Sequence, residues 1–197
     1  MPDVVYKALY FLAIVAQVVI RAPIDRVRRQ NKIVTAQVDR RETVALLLLT
    51  VGSLLLPLLY TFTPWLNFAN YALPAWARWL GVALLVASLV VFWKAHQDLG
   101  RNWSPSLELR EGHTLITNGL YNYIRHPMYA SQWLFVLAQC LLLSNWLAGV
   151  GGLVLFLPLY FGRVPVEEQM MLKEFGDQYR AYAARTGRVL PRLGKSA

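Results

Sequence analysis

Apolar residues along this chain come in long unbroken runs, not in the one-face stripe of a soluble helix or the strict alternation of a strand. A hydrocarbon core about 30 Å thick takes roughly 17–25 apolar residues of helix to cross. Five runs approach that size: residues 4–20, 44–62, 79–93, 128–143 and 146–161. The third is short alone and lengthens if 75–78 belong to it. Only Ser144 and Asn145 separate the last two, which predicts a tight antiparallel hairpin turning at a membrane surface. The pattern predicts an all-α integral membrane protein of about five transmembrane helices in a single membrane domain spanning 1–197, with a C-terminal helical hairpin.

The polar connections carry their own signals. Residues 94–127 are rich in turn formers, Gly100, Asn102, Gly112, Asn118 and Gly119 among them, so this loop is expected to be ordered. Within it, 106–110 and 113–117 alternate about Glu111-Gly112 and could form a short β-hairpin. Beyond Phe161 a tail helix is expected to start near Pro165, a residue suited to a first helical turn, and to stop near Phe175-Gly176 with the glycine as a left-handed cap. A second short helix follows over 177–185, with Asp177 as its expected N-cap. Gly149, Gly151 and Gly152 lie inside an apolar run and read as helix-packing positions.

Composition and charge sharpen this picture. The chain is 56% hydrophobic, with a mean hydropathy of +0.37, above the roughly 45–50% of soluble domains. Its net charge of +9 could suggest nucleic acid, but the basic residues sit in clusters between the apolar runs and so report topology, with no nucleic-acid partner. Residues 21–43 carry seven Lys or Arg, 63–78 only Arg78, 94–127 four, the hairpin turn none and the tail seven. Cytoplasmic loops hold the basic excess, so the N-terminus is expected outside and the C-terminus in the cytoplasm. Trp65, Tyr71, Trp76 and Trp79 gather near the outer loop, as interfacial aromatics do. Residues 4–20 lack the basic start and small-residue cleavage pattern of a signal peptide and are kept as a membrane helix. The single cysteine, Cys140, excludes an internal disulfide and a Cys-based metal site, and no metal is expected.

Three polar groups beside the membrane are candidates for chemistry, because such residues are costly there. The first is Gly119-Leu-Tyr-Asn-Tyr-Ile-Arg-His-Pro-Met-Tyr129, leading into the fourth run. Its glycine permits close backbone approach to a ligand, and Pro127 opens a helix whose free N–H groups form an anion seat. A basic interfacial collar with tyrosine anchors is the plainer reading. The second is Arg163 with Glu167-Glu168: adjacent carboxylates repel, and a cationic ligand would compensate them, whereas solvated acids are the bland alternative. The third is Phe175-Gly-Asp-Gln-Tyr179 with Tyr182, Arg188 and Pro191, otherwise an amphipathic cap.

In this order, Gly-x-Tyr-x-x-x-Arg-His-Pro-x-Tyr, a helical hairpin, Glu-Glu, Phe-Gly-x-x-Tyr-x-x-Tyr and Arg-x-x-Pro resemble the isoprenylcysteine carboxyl methyltransferases and their prokaryotic relatives. The resemblance covers 99–191, the expected catalytic core. It implies an S-adenosylmethionine site without a Rossmann fold, consistent with the lack of a strand followed by Gly-x-Gly-x-x-Gly. By that resemblance His113, Leu115, Ile116, Gly119 and Tyr121 line the adenosine end. His126, Pro127, Tyr129, Glu167 and Glu168 hold the methionine end, with Glu167 also among the catalytic residues. The implied reaction carries a methyl group from the sulfonium to a carboxylate, forming a methyl ester and S-adenosylhomocysteine. Arg163 and Arg125 are the candidates to orient that carboxylate. The implied acceptor is lipophilic, such as a prenylated cysteine, and arrives from membrane lipid. Phospholipid N-methylation, an NADPH-dependent sterol-type reduction and a non-catalytic membrane role stand as alternatives; an amine acceptor would need His126 or a glutamate as base.

Overall fold

The computed structural model describes residues 2–28, 33–36, 40–104, 108–110, 112 and 114–192. Every apolar run forms a helix. These are α1 (Asp3–Arg28), α2 (Arg40–Thr50), α3 (Leu56–Phe62), α4 (Ala75–Leu99), α5 (Pro127–Leu143) and α6 (Gly151–Phe175), with α7 (Asp177–Arg185) capping the tail. A π-helical turn, Val51–Leu55, joins α2 to α3 in one rod, and a second, Trp146–Val150, runs into α6. Four rods are long and apolar enough to cross a bilayer: Asp3–Arg26, Arg40–Phe62, Ala75–Leu99 and Trp146–Phe175. At 17 residues α5 is shorter, roughly 25 Å at 1.5 Å per residue. The chain is a multi-pass membrane protein whose spans are all helical, and in which Leu12, Val15, Val19, Val86, Val90 and Val154 face outward, an arrangement that lipid favours and water penalises.

The core lies where α1, α4, α5 and α6 meet, around the buried Tyr10, Phe135, Leu142 and Phe156. The π turns are satisfied from within it. A π turn releases backbone carbonyls from the i→i−4 ladder, and an apolar medium offers them no water. Gln139 of α5 donates to the carbonyls of Gly52 (2.8 Å) and Ala148 (2.6 Å), and the Tyr10 hydroxyl donates to Ser53 O (2.6 Å). The glycines make room for this: a Cβ on Gly152 would stand 2.3 Å from Gln139 Nε2, and one on Gly52 would stand 3.0 Å from Gly152 Cα. Glycine as a packing residue in this run is therefore what the structure contains.

The two ends of the bundle are chemically distinct. At one end the α1 and α4 starts are tied by an Asp3–Arg78 ion pair. Ser144, in the left-handed region at φ 49°, turns the α5–α6 hairpin. Asn145 caps the π turn and donates to Leu66 O (2.7 Å) and Asn70 Oδ1 (2.9 Å). Trp65, Phe68, Trp76, Trp79 and Trp146 stand exposed around this end. The opposite end gathers Arg21, Trp103, the 114–126 loop, the end of α6 and the tail.

Four local expectations are corrected. No helix starts at Pro165: α6 runs unbroken through Pro158 and Pro165, since one missing N–H removes a single rung from a long ladder that has no competing water along its membrane part. Asp177 is the first residue of α7, and Gly176 is its N-cap. Gly176 does end α6 with positive φ, at φ 52° and ψ −123°, outside the left-handed helical well. The proposed local hairpin is absent among the described residues: β2 (Glu108–Arg110) pairs antiparallel with β1 (Ile33–Ala36), far away in sequence, and 114–117 form no regular element.

Candidate functional site

A cavity of about 310 Å³ opens at the tail end of the bundle, walled by α4, the 114–126 loop, the starts of α5 and α7 and the end of α6. Among its lining residues are Leu115, Ile116, Tyr121, Arg125, His126, Tyr129, Arg163 and Glu167. Sequence reasoning placed all eight in one site. His113 lies outside the described residues. Gly119, Pro127 and Glu168 do not line the cavity; they build its walls.

The loop is pinned from below. Asp98, in the last turn of α4, accepts from Leu120 N at 2.8 Å. Gly119 sits at φ +58°, where a Cβ would come 2.2 Å from Asp98 Oδ2. Its freedom serves close approach to the Asp98 carboxylate. Further along, Thr114 N donates to Asn102 Oδ1 at 2.9 Å, fixing the strand-like stretch that leads to Leu115 and Ile116. Arg21 reaches over from α1 and stacks on Phe92 and Trp103, 5.5 and 5.2 Å from the ring centroids, placing a cation on the cavity wall.

The tail closes the other side. Gly187 N donates to Tyr123 O (3.2 Å), Arg125 N to Gly187 O (2.8 Å) and His126 N to Arg188 O (2.9 Å), a short backbone clasp. Within it, the Tyr182 hydroxyl donates to Tyr121 O at 2.7 Å. Burial pushes the phenols of Tyr121 and Tyr182 up, the latter to about 12. Both stay neutral and serve as aromatic wall rather than bases, with Tyr182 a hydrogen-bond donor.

The paired glutamates part ways. The rod Trp146–Phe175 has 30 residues, about 45 Å at the α-helical rise, so its last turns stand clear of a core about 30 Å thick. There Glu168 meets three cationic or polar partners. Arg125 donates through Nε (3.1 Å) and Nη2 (3.0 Å), Arg188 through Nε (3.2 Å) and Nη2 (2.8 Å), and His126 Nε2 lies 3.3 Å away. Burial alone would raise its pKa; the hydrogen bonds of His126, Arg188 and Arg125 outweigh this and hold the carboxyl at about 2. Glu167 by contrast keeps a third of its side chain exposed and accepts from the Tyr129 hydroxyl at 2.9 Å. It is the carboxylate that faces the cavity.

The arginines divide as well. Arg125 also donates through Nη1 to Ala183 O (3.0 Å) and to Thr186 O. Its guanidinium is thereby engaged by Glu168 and the end of α7. Arg163 stands one helical turn before Glu167, and the i,i+4 spacing puts both on one face of α6. Its Nη1 lies 3.4 Å from Glu42 Oε1. Arg163 also lines a second cavity, of about 750 Å³, between α2 and α6, with apolar walls from Val44, Ala45, Leu48, Pro158, Leu159 and Val166 and a charged edge from Arg40, Arg41 and Glu42. The two cavities share only Arg163 and Leu159 in their linings. Among the described residues no cluster of His, Cys, Asp and Glu could hold a metal ion.

Sequence reasoning missed Asp98, Asn102, Trp103, Arg21 and Glu42. Trp103 and Asn102 sit inside the stretch 99–104 where the resemblance begins, which was the available signal. Arg21 and Glu42 belong to helices whose sequences show only hydrophobicity.

The chain is similar to known proteins over much of its length. Residues 79–173 match the model of the isoprenylcysteine carboxyl methyltransferase (ICMT) family. The chain is 26% identical over 118 residues to protein-S-isoprenylcysteine O-methyltransferase B of Arabidopsis thaliana, covering 59% of this chain and 60% of that protein. It is 28% identical over 106 residues to the Dictyostelium discoideum protein-S-isoprenylcysteine O-methyltransferase, covering 53% and 45%. The matched stretch thus spans less than two thirds of either relative. The fold is similar to that of the eukaryotic intramembrane Ras methyltransferase ICMT, with a TM-score of 0.52 and 23% identity over 79% of this chain and 54% of that one.

Proposed function

We propose, from the premise that residues 79–173 carry the pattern of the isoprenylcysteine carboxyl methyltransferase family, that this chain is an S-adenosylmethionine-dependent membrane methyltransferase esterifying the carboxylate of a lipophilic, prenylcysteine-like acceptor. The observation that carries the reading is the place of Arg163, at the one junction between a cavity edged by a carboxylate and aromatics and a larger apolar one. The 310 Å³ cavity lies at the small end of the range for ligand pockets, roughly 300–1,000 Å³. Its residues fit the methyl donor: Glu167 offers a carboxylate to an ammonium or sulfonium, and Leu115, Ile116 and Tyr121 offer an apolar shelf to a purine.

Bound S-adenosylmethionine supplies an electrophilic methyl group, which leaves sulfur with its bonding electrons behind and joins a carboxylate oxygen. The acceptor is already ionised, so no residue has to remove a proton, and the protein's contribution is positioning and electrostatics. Arg163 orients the acceptor carboxylate, the fork geometry of guanidinium matching its two oxygens. Tyr129 fixes Glu167 through its hydroxyl, and Glu168, Arg125 and Arg188 lock the tail over the site. The acceptor's apolar tail lies against the Val44, Leu48, Leu159 and Val166 side of the cavity between α2 and α6, with Arg40, Arg41 and Glu42 at its charged edge. In the bilayer the N-terminus faces outward and the tail end, with its site, faces the cytoplasm, as the alternation of basic loops requires.

Calorimetric titration of the detergent-purified protein with S-adenosylhomocysteine, with NADPH as control ligand, tests the donor. Saturable binding of the first alone is expected; binding of NADPH alone would replace the reading with a reductase. Incubation with S-adenosylmethionine and either a prenylcysteine analogue or a lipid amine then tests the acceptor, and a base-labile methyl ester on the former is the expected product.

A further inference from the structure

Glu42 stands out as a buried acid that the proposed chemistry does not use. It opens α2, where an acid in a first helical turn ordinarily faces solvent and complements the helix dipole. Here the residue is only 6% exposed, although its neighbours Arg41 and Thr43 are exposed. Its carboxylate points across to α6, where Oε1 lies 3.4 Å from Arg163 Nη1, and the side chains of the pair are 3% and 10% exposed. An ion pair so placed is costly to bury and costly to break, because removing one partner strands the other charge. Arg163 borders both cavities, whereas Glu42 lines only the apolar one. The carboxylate therefore approaches the guanidinium from the acceptor side.

We infer that Glu42 is a positioning residue for methyl transfer: it holds the Arg163 guanidinium at the junction of the two cavities and serves as its counterion until an acceptor carboxylate arrives. The inference rests on the proposed methyltransferase reading and adds to it a residue from α2, outside the matched stretch 79–173. Glu42 touches neither donor nor acceptor methyl chemistry; it acts through Arg163. Without it the guanidinium would lean toward other carboxylates, Glu167 among them, and the acceptor would meet it in a poorer line of attack. The resident carboxylate also competes with the acceptor's, so its loss should lower the rate without weakening acceptor binding.

The test is steady-state kinetics of the full-length protein in detergent, with a prenylcysteine analogue as acceptor, for wild type, Glu42→Gln and Glu42→Asp, alongside calorimetry with S-adenosylhomocysteine. Misplacing a positioning group costs on the order of ten- to a hundredfold in rate. Glu42→Gln is therefore expected to lose that much kcat, with acceptor KM unchanged or lower and S-adenosylhomocysteine affinity as in wild type. Glu42→Asp, which keeps the charge with a shorter reach, should fall between the two. Loss of the stranded partner's pairing lowers thermal stability on either account, but a merely structural role would move donor affinity together with the rate, and that pattern overturns the inference. So does wild-type kcat in Glu42→Gln or, if that variant does not fold, wild-type kcat in Glu42→Asp. A wild-type protein that binds S-adenosylhomocysteine and esterifies the analogue while Glu42→Gln matches it sinks only the role of Glu42; a wild-type protein that does neither sinks the methyltransferase reading with it.

Discussion

Glu167 and Glu168 are neighbours in sequence and look interchangeable there, yet their surroundings assign them different work. Glu168 is enclosed by Arg125, Arg188 and His126, and Glu167 accepts from the Tyr129 hydroxyl, lies 3.9 Å from His126 Nδ1 and is open to the cavity. Single substitutions should separate them. Glu167→Gln is expected to weaken S-adenosylhomocysteine binding roughly tenfold or more, the worth of a charged hydrogen bond, with little change in thermal midpoint by differential scanning fluorimetry. Glu168→Gln should do the reverse, lowering the midpoint because it releases two arginines and the tail clasp. The pH dependence follows from the carboxyl held at about 2 against an ordinary value of 4.5. A depressed pKa stabilises the fold above the unfolded value and is lost as pH falls toward the folded one. Wild type should therefore lose this part of its stability between about pH 4.5 and 2, and Glu168→Gln should show a flatter midpoint profile across that window. Identical profiles would remove Glu168 from the clasp.

At the scale of elements, long apolar runs were legible because the bilayer demands length and hydropathy from every span, so all five appear as helices with ends moved by a few residues or extended into the tail. What one run does to another was not legible. The π turns at Val51–Leu55 and Trp146–Val150 depend on Gln139, an unremarkable polar residue in an apolar run, which reaches carbonyls in both. The pairing of β1 with β2 joins segments that show no complementary pattern, and turn chemistry around Gly112 favoured a local partner instead. Likewise Asp98, Arg21 and Glu42 meet the site from other helices, and no spacing in the sequence announces contacts made across such distances. The candidate residues that were legible, Glu167, Tyr129, Arg163 and the 115–126 stretch, sit close together in the chain around one helical hairpin. The role of Gln139 can be measured. Gln139→Leu keeps the volume and removes the donor, leaving Gly52 O and Ala148 O without it in an apolar interior. Each such group costs about 1–3 kcal/mol when stranded, so a loss of several kcal/mol is expected in detergent unfolding. An unchanged unfolding free energy would mean that the π turns satisfy their carbonyls otherwise.

The whole molecule has a direction. One end, with Asp3, Arg78, Asn145 and a ring of exposed tryptophans, contains little that could bind a charged cofactor. The other holds the cavity, the tail and most of the basic residues. On the proposed reading a water-soluble donor and an acceptor with an apolar tail meet where aqueous and lipid phases touch, and Arg163 lines both cavities there. The charge asymmetry of the loops predicts the cavity end on the cytoplasmic side, and five crossings would put the two termini on opposite sides. The shorter α5 completes that parity: it runs from the cavity end to Ser144, whose carbonyl accepts from Tyr71 N at 2.9 Å at the tryptophan end. Single cysteines placed in a Cys140→Ser background decide the matter. A cysteine at Asn67, exposed in the loop before α4, should react with a membrane-impermeant maleimide in intact cells, whereas one at Lys173, exposed near the end of α6, should react only after permeabilisation. Labelling of both in intact cells, or of Lys173 alone, would reverse the assignment and place the cavity where cytoplasmic S-adenosylmethionine cannot reach it, so the same experiment also bears on whether the site can work at all.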